Sequence, residues 1–181
     1  MTPDPSHALM LAAGEEAPAR VFALAAEGLR RDAGSLLTTA TVYDLGRMLS
    51  RRVYTEDAGA YPIGNFKRIE RDAYFETVLV GHRPFHNPDI EVMSRNFFDW
   101  EKIRDLGFES GLNVPAVADG EVIGTVNLLH RSGHFTEARI AAAMAWQPVL
   151  TLAFLLLHRR GAHAASFHEG AAPALEGEVE G

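Results

Sequence analysis

Apolar and polar positions in the first third of the chain repeat first with a helical period and then with the alternation of strands. Val21, Leu24 and Leu29 follow helical spacing in a segment that stops at Gly34. The runs SLLTTATVYD and RMLSRRVYT that come next are rich in β-branched and aromatic residues and flank a turn at 44–46. This pattern predicts one helix followed by a β-hairpin.

The middle of the chain changes pattern twice before strand alternation returns. Residues 56–71 carry two glycines and a proline, which predicts a loop. Asp72 is a suitable N-cap for a helix over 73–80. Apolar spacing across 90–107 predicts one or two short helices that end at Gly107.

The stretch SGLNVPAVADGEVIGTVNLL, residues 110–129, carries amides and hydroxyls along one side of an otherwise apolar alternation. Asp119 and Gly120 mark a hairpin turn, and a three-residue loop over 118–120 separates polar from apolar side chains most cleanly. The apolar face then comprises Leu112, Val114, Ala116, Val122, Val126 and Leu128. Gathered on the opposite face are Asn113, Thr125 and Asn127. Polar groups in an apolar setting are typical of a ligand pocket floor, although a sheet face left open to solvent gives the same pattern.

The last apolar segment predicts a helix from Glu137 to His158, with Thr136 as N-cap and a kink or break at Pro148. Its uncharged part, Ile140–Leu157, is about as long as the shortest membrane span. Gln147 and Pro148 in mid-segment favour a buried helix instead. Such a helix is apolar all round and needs partners on two sides.

Composition limits the domain count and the classes of partner. A chain of 181 residues with 47% hydrophobic residues suits one globular domain, which we place at 17–159, between a flexible arm over 1–16 and a flexible tail over 160–181. The net charge of −7 argues against nucleic-acid binding. No signal peptide is predicted, and the absence of cysteine fits a cytoplasmic protein and excludes thiol chemistry.

Candidate chemistry concentrates on the second hairpin and the aromatic residues before it. We expect a ligand site with aromatic walls from Phe85, Phe98 and Trp100, and with polar contacts from Ser110, Asn113, Thr125 and Asn127. No metal ligand is assigned, because prolines or a glycine interrupt both histidine pairs, His82/His86 and His130/His134. Ser110 beside a loop histidine is the one nucleophile and base pairing available, and no nucleophile-elbow pattern surrounds it, so the chain is not expected to be an enzyme.

One set of positions in the second hairpin, taken with the order of elements, resembles the GAF domain family over most of 17–159. These positions are Ser110, Leu112, Val114, Pro115, Gly120, Gly124, Asn127 and Leu128, followed by Phe135 and Thr136. The resemblance implies an α+β fold of the profilin-like or PAS-like kind, an antiparallel sheet of about six strands with helices on both faces. It also implies that the first and last helices pair with a second subunit and that the middle segment roofs a pocket.

Known GAF chemistries can be compared with this sequence. The positions that match the cyclic-nucleotide signature of the family hold His130, Arg131, Phe135, Arg139 and Ile140, and only the phenylalanine agrees. Methionine-sulfoxide reduction and thioether-linked bilins require cysteine, which the chain lacks. Haem or iron binding stays open, and the cofactor is unknown.

The function expected from this resemblance is small-molecule sensing by a homodimer that acts in trans. The alternative is a dimerisation or partner-docking module with a vestigial pocket; a cryptic hydrolase and a metal-binding sensor are further alternatives. The expected partners are a small-molecule ligand, a second copy and a further protein, without nucleic acid or membrane.

Overall fold

A computed structural model of the protein describes residues 3–64, 66–161 and 179–180. The helices are α1 Pro5–Ala12, α2 Ala17–Asp32, a π-helix Phe75–Val80, α3 Ile90–Asn96, α4 Trp100–Asp105, α5 Glu137–Met144 and α6 Gln147–Arg159. The strands are β1 Leu37–Asp44, β2 Leu49–Thr55, β3 Phe66–Arg68, β4 Phe85–Asn87, β5 Ser110–Ala118, β6 Glu121–His130 and β7 Val179–Glu180.

A single sheet forms the centre of the molecule, in the order β4-β5-β6-β1-β2-β3-β7. The first six strands of this order are antiparallel, and the two-residue β7 pairs in parallel with β3. This α+β arrangement, with helices on both faces, confirms the predicted fold class. Because β6 pairs with β1, the two predicted hairpins lie side by side in the sheet, and β1 and β6 are the strands that adjoin.

The second hairpin differs from the prediction in its turn. Ala118 pairs with Glu121, so the loop has two residues, Asp119 and Gly120, both with positive φ. Two-residue turns of this kind match the twist of the flanking strands. A register shift follows, because Val117 pairs with Val122 while Ala116 pairs with Gly124.

This shift forms a β-bulge in which Ile123 is the extra residue. The bulge turns the side chains of β6 nearest the turn to the opposite face of the sheet. Val122 therefore packs beside Val117 on the pocket side rather than on the predicted apolar face. Ile123 packs against the helical core instead. Beyond the bulge the predicted faces hold, with Leu112, Val114, Ala116, Val126 and Leu128 in one buried cluster.

Helices α1, α2, α5 and α6 cover one face of the sheet and enclose the main core. Phe22 of α2 stacks edge-on against Phe154 of α6, with ring centroids 4.9 Å apart. The stretch that the sequence assigns to a flexible arm instead forms α1. Ala8 is buried in the core, and Asp4 caps the helix by accepting the Ser6 amide. Most of the predicted tail, 160–181, lies outside the described residues.

The predicted last helix is broken into α5 and α6, which meet at a bend of 42°. Pro148 stands in the first turn of α6, where its missing N–H costs no helical hydrogen bond. The apolar composition of α6 requires partners on more than one side. These partners are the sheet, α2 and α1. In the described part of the chain no single helix is long and apolar enough to cross a membrane. Helices α5 and α6 reach that length and apolar composition only when they are taken together across their bend.

The other face of the sheet is covered by shorter elements. The π-helix packs over the turn end of the second hairpin, where Val78 and Leu79 are buried against Val122. Asp72 caps the helical segment, as predicted, by accepting the Phe75 amide at 2.8 Å. Helices α3 and α4 bury Met93 and Ile103 in a separate cluster. Between these two small clusters the sheet is not fully covered, and a cavity remains.

Candidate functional site

A cavity of about 340 Å³ lies between the sheet and the elements of the second face. Its floor comes from β1, β2, β5 and β6, and its walls from β3, the 69–74 segment and helices α3 and α4. A volume of this size is at the lower end of the range for small-molecule pockets.

Seven amide and hydroxyl groups form one hydrogen-bond network beneath the cavity. The side chain of Asn127 is its centre, because its Oδ1 accepts from Asn113 Nδ2 at 2.7 Å and from Thr125 Oγ1 at 3.0 Å. The Nδ2 of Asn127 donates to the hydroxyls of Thr39 and Thr41 at 3.2 and 3.1 Å. All four bonding positions of this amide are thus satisfied, which holds the floor in one arrangement.

Two tyrosines extend the network toward the π-helix. The Tyr43 hydroxyl lies 2.7 Å from Thr125 Oγ1 and 2.6 Å from the Tyr74 hydroxyl. Burial raises the pKa of Tyr43 well above its usual value, and burial likewise raises the pKa of Tyr74. Both hydroxyls therefore stay protonated at neutral pH and serve as donors rather than as bases.

The structure separates the seven predicted site residues into three groups. Phe98, Asn113 and Asn127 line the cavity, and Thr125 lies in the network directly behind it. Phe85, Trp100 and Ser110 lie outside the lining. Ser110 donates to the Arg131 carbonyl at 2.7 Å. Phe85 supports the wall from behind, against Tyr74 and Phe97, while Trp100 packs in the cluster beneath α4 and against Arg104. Their roles as ligand contacts stay predictions.

Sequence reasoning missed the part of the floor that β1 supplies. Thr39, Thr41 and Tyr43 alternate along this strand, and the same side of the sheet continues into Asn127. The alternation was present in the sequence, but only the pairing of β1 with β6 makes these residues neighbours. Arg52, Tyr61 and Lys67, which also line the cavity, were missed for the same reason, since they come from a hairpin strand and the long predicted loop after it.

The two histidine pairs do not assemble a metal site. No group of three or more His, Asp or Glu side chains able to hold a metal ion occurs within 3–64, 66–161 and 179–180. His130 and His134 stack with ring centroids 3.2 Å apart, outside the cavity lining. Burial lowers the pKa of His130 to about 4, so this ring is neutral at physiological pH, and burial also lowers the pKa of His134.

The family of the chain follows from comparison with known proteins. The sequence model of the GAF domain matches residues 15–145. The protein belongs to the GAF domain family. GAF domains are regulatory and sensory domains in signalling proteins and are generally not enzymes. Membership alone leaves the ligand open, since one fold hosts many functions.

Solved structures of signalling proteins share the fold of this GAF protein at low sequence identity. The GAF domain of a two-component sensor histidine kinase from Bacillus halodurans aligns with a TM-score of 0.64 and 12% identity, over 78% of this chain and 96% of that chain. A GAF/HD domain protein from Geobacter sulfurreducens aligns with a TM-score of 0.59 and 16% identity, over 78% and 92%. A methyl-accepting chemotaxis protein aligns with a TM-score of 0.60 and 18% identity, over 85% and 98%. No curated protein matches the chain.

Proposed function

We propose that this GAF protein is a small-molecule sensor that binds its ligand in the cavity above the Asn127 network. The observation that supports this is a cavity of about 340 Å³ whose floor is a satisfied amide and hydroxyl network. A vestigial pocket would have no need of a fixed polar floor, because apolar side chains fill space at lower cost. Asn113 contributes an amide oxygen for which no bond is assigned within the described residues, and it is available to a ligand.

The test of this function is whether the cavity holds a compound. Native mass spectrometry of the purified protein is expected to detect about one small molecule per protomer, released on denaturation. In Thr41→Trp the indole occupies the cavity, so the compound is lost. Leu45→Trp, which adds the same indole at an exposed position of the β1–β2 turn, is the matched control and retains the bound compound.

One combination of results would contradict ligand sensing. If the purified protein carries no compound, and no metabolite from a broad library raises the melting temperature of wild type above that of Thr41→Trp, the cavity does not bind ligands. The docking-module alternative is then favoured, and the protein acts through its surfaces alone.

We further propose that the sensor works in trans in the cytoplasm, as a homodimer built on the helical face opposite the cavity. Leu9 and Met10 of α1 are 58% and 74% exposed, and Leu155 of α6 is 46% exposed. Helices α1 and α6 pack against each other, so all three exposed side chains lie on the helical side of the sheet. A second copy that covers this side would remove all three from water.

Dimerisation can be tested by analytical ultracentrifugation at micromolar concentrations. Wild type is expected to sediment as a dimer and the double variant Leu9→Glu/Leu155→Glu as a monomer. Leu45→Glu, which changes an equally exposed leucine in the β1–β2 turn, is expected to remain dimeric. A monomeric wild type, or dimers for all three proteins, would contradict this interface.

A further inference from the structure

The hydrogen-bond network beneath the cavity has a direction, because each hydroxyl has a single proton to donate. Tyr43 is a phenol, a stronger acid and therefore a stronger donor than the Thr125 alcohol 2.7 Å away. Tyr43 thus donates to Thr125 Oγ1, and Thr125 in turn donates to Asn127 Oδ1 at 3.0 Å. Tyr43 accepts its own hydrogen bond from Tyr74 at 2.6 Å. The amide oxygen of Asn127 therefore faces Thr125, and its Nδ2 faces β1.

This direction decides which polar groups the floor offers to a ligand. Asn127 Nδ2 donates to the hydroxyls of Thr39 and Thr41, so each threonine accepts one bond and keeps its own proton. Neither proton has an acceptor within the described residues, and both threonines line the cavity. Asn113 spends its Nδ2 on Asn127 Oδ1, and its own Oδ1 has no donor in that part of the chain. The floor thus offers donors at β1 and an acceptor at β5.

The donors and the acceptor lie in one row across neighbouring strands. Asn113 pairs with Asn127, and Asn127 pairs with Thr39. Two strand spacings separate the outer backbones by about 9–10 Å, and the outer side chains converge on Asn127 from both sides. A ligand group with a C=O and an N–H on adjacent atoms can therefore lie above Asn127 and bond to both sides. A carboxamide is such a group.

The charges of the cavity do not select an ion. Among its described lining residues, three cationic side chains stand with three carboxylates, so the formal charges cancel. Asp99 pairs with Lys67 at 3.0 Å, and Asp72 is used as the cap of the π-helix segment. A lining without net charge produces no field that would concentrate anions or cations, which favours an uncharged ligand.

Aromatic side chains supply the walls around this polar floor. They come from the loop after β2, from the 69–74 segment and from the stretch between α3 and α4, and they are Tyr61, Tyr74, Phe97 and Phe98. Aromatic rings pack well against another flat ring, either stacked or edge-on. The ligand body that fits these walls is therefore an aromatic ring.

We propose that the cavity recognises an uncharged aromatic carboxamide, whose carbonyl oxygen accepts from Thr39 and Thr41 and whose N–H donates to Asn113 Oδ1. The inference rests on the proposed ligand binding in this cavity and names the class of molecule sensed. A ketone of the same shape lacks the N–H, and a carboxylate turns a charged oxygen toward Asn113 Oδ1. Both leave the amide acceptor without a donor.

Three probes of nearly equal size can test this class. Benzamide, acetophenone and benzoate share a phenyl ring and a carbonyl carbon, which carries NH₂, CH₃ or O⁻. We expect wild type to bind benzamide about tenfold more tightly than acetophenone, because only benzamide supplies a donor to Asn113 Oδ1. Benzoate is expected to bind no better than acetophenone, because its charge loses water without gaining a donor at β5. Titrations followed by protein NMR shifts measure the three affinities.

Two variants assign the preference to the floor. Asn113→Leu removes the acceptor and is expected to weaken benzamide about tenfold, which removes the preference over acetophenone. Asn127 Oδ1 keeps its bond from Thr125 in this variant. Thr41→Val removes a donor to the carbonyl and is expected to weaken benzamide and acetophenone by the same factor, severalfold. Thr151→Val, the same change in α6 on the opposite side of the sheet, is the matched control and leaves both affinities unchanged.

Several results would reject the carboxamide while cavity binding stands. These are acetophenone or benzoate binding as tightly as benzamide, a preference that survives Asn113→Leu, and no binding of the three probes by a protein that carries a compound in native mass spectrometry. The comparison in wild type needs no variant, so it decides the matter even if Asn113→Leu does not fold. Benzamide binding that survives Thr41→Trp also rejects the carboxamide site, and the proposed function itself fails if the purified protein carries no compound either.

Discussion

Gly28→Ala is expected to lower the free energy of unfolding by about 2 kcal/mol. Gly28 lies within α2, and a Cβ at this position would overlap the ring of Trp146, which stands at the junction of α5 and α6. Overpacking of this kind costs about 3 kcal/mol, whereas the better helix propensity of alanine returns about 1 kcal/mol. Urea unfolding followed by circular dichroism measures the difference.

The indole of Trp146 has little freedom to move out of the way. It is buried, and its Nε1 donates to Asp32 Oδ2 at 3.0 Å. A hydrogen bond from Arg31 lowers the pKa of Asp32, so the acceptor is ionised at neutral pH. Moving the ring would therefore break a charge-assisted bond as well as its packing.

Gly14→Ala is the matched control for this prediction. The nearest atom to a Cβ at Gly14 is the Leu11 carbonyl oxygen at 3.5 Å, an ordinary contact. Its effect on stability is expected to stay within about 0.5 kcal/mol. A loss in Gly28→Ala no larger than in Gly14→Ala would show that the contact of α2 with Trp146 is looser than described.

Asn127→Leu is expected to lower the free energy of unfolding by about 2 kcal/mol and to abolish ligand binding. The change removes the amide that serves four neighbours, so the Nδ2 of Asn113 and the hydroxyl of Thr125 lose their acceptor. A buried polar group without a partner costs about 1–3 kcal/mol, more than the net gain of the bond itself. Urea unfolding measures the stability, and native mass spectrometry the ligand.

The double variant Asn113→Leu/Asn127→Leu distinguishes the loss of the hydrogen bond itself from the cost of leaving the Asn113 amide without an acceptor. Since Asn113 no longer needs an acceptor when it is itself apolar, the double variant is expected to lose less stability than the sum of the two single variants. Ligand binding stays absent, because the polar floor is gone. Additive losses of stability would contradict a direct coupling between the two amides.

The segregation of side chains in the second hairpin was predictable for a local reason. Successive residues of a strand point to opposite faces, so the grouping of Asn113, Thr125 and Asn127 followed from their spacing. The turn was predicted one residue too long. A three-residue turn and a two-residue turn followed by the bulge at Ile123 both shift the alternation of faces by one residue, so the pattern of side chains fits either. Next to the bulge, Gly124 packs under the Phe154 ring, where a Cβ would not fit.

Local periodicity was enough to predict α2, the strands of the two hairpins, the short helices over 90–107 and one half of the polar floor, and short-range motifs indicated the α+β class and the GAF family. Long-range packing, in contrast, places β1 beside β6 to complete the floor, puts α1 on the core, and brings Arg52 and Lys102 to the ring of Tyr61. Which strands become neighbours, and which loop side chains share a space, depends on packing between segments that are distant in sequence, and no local pattern records it.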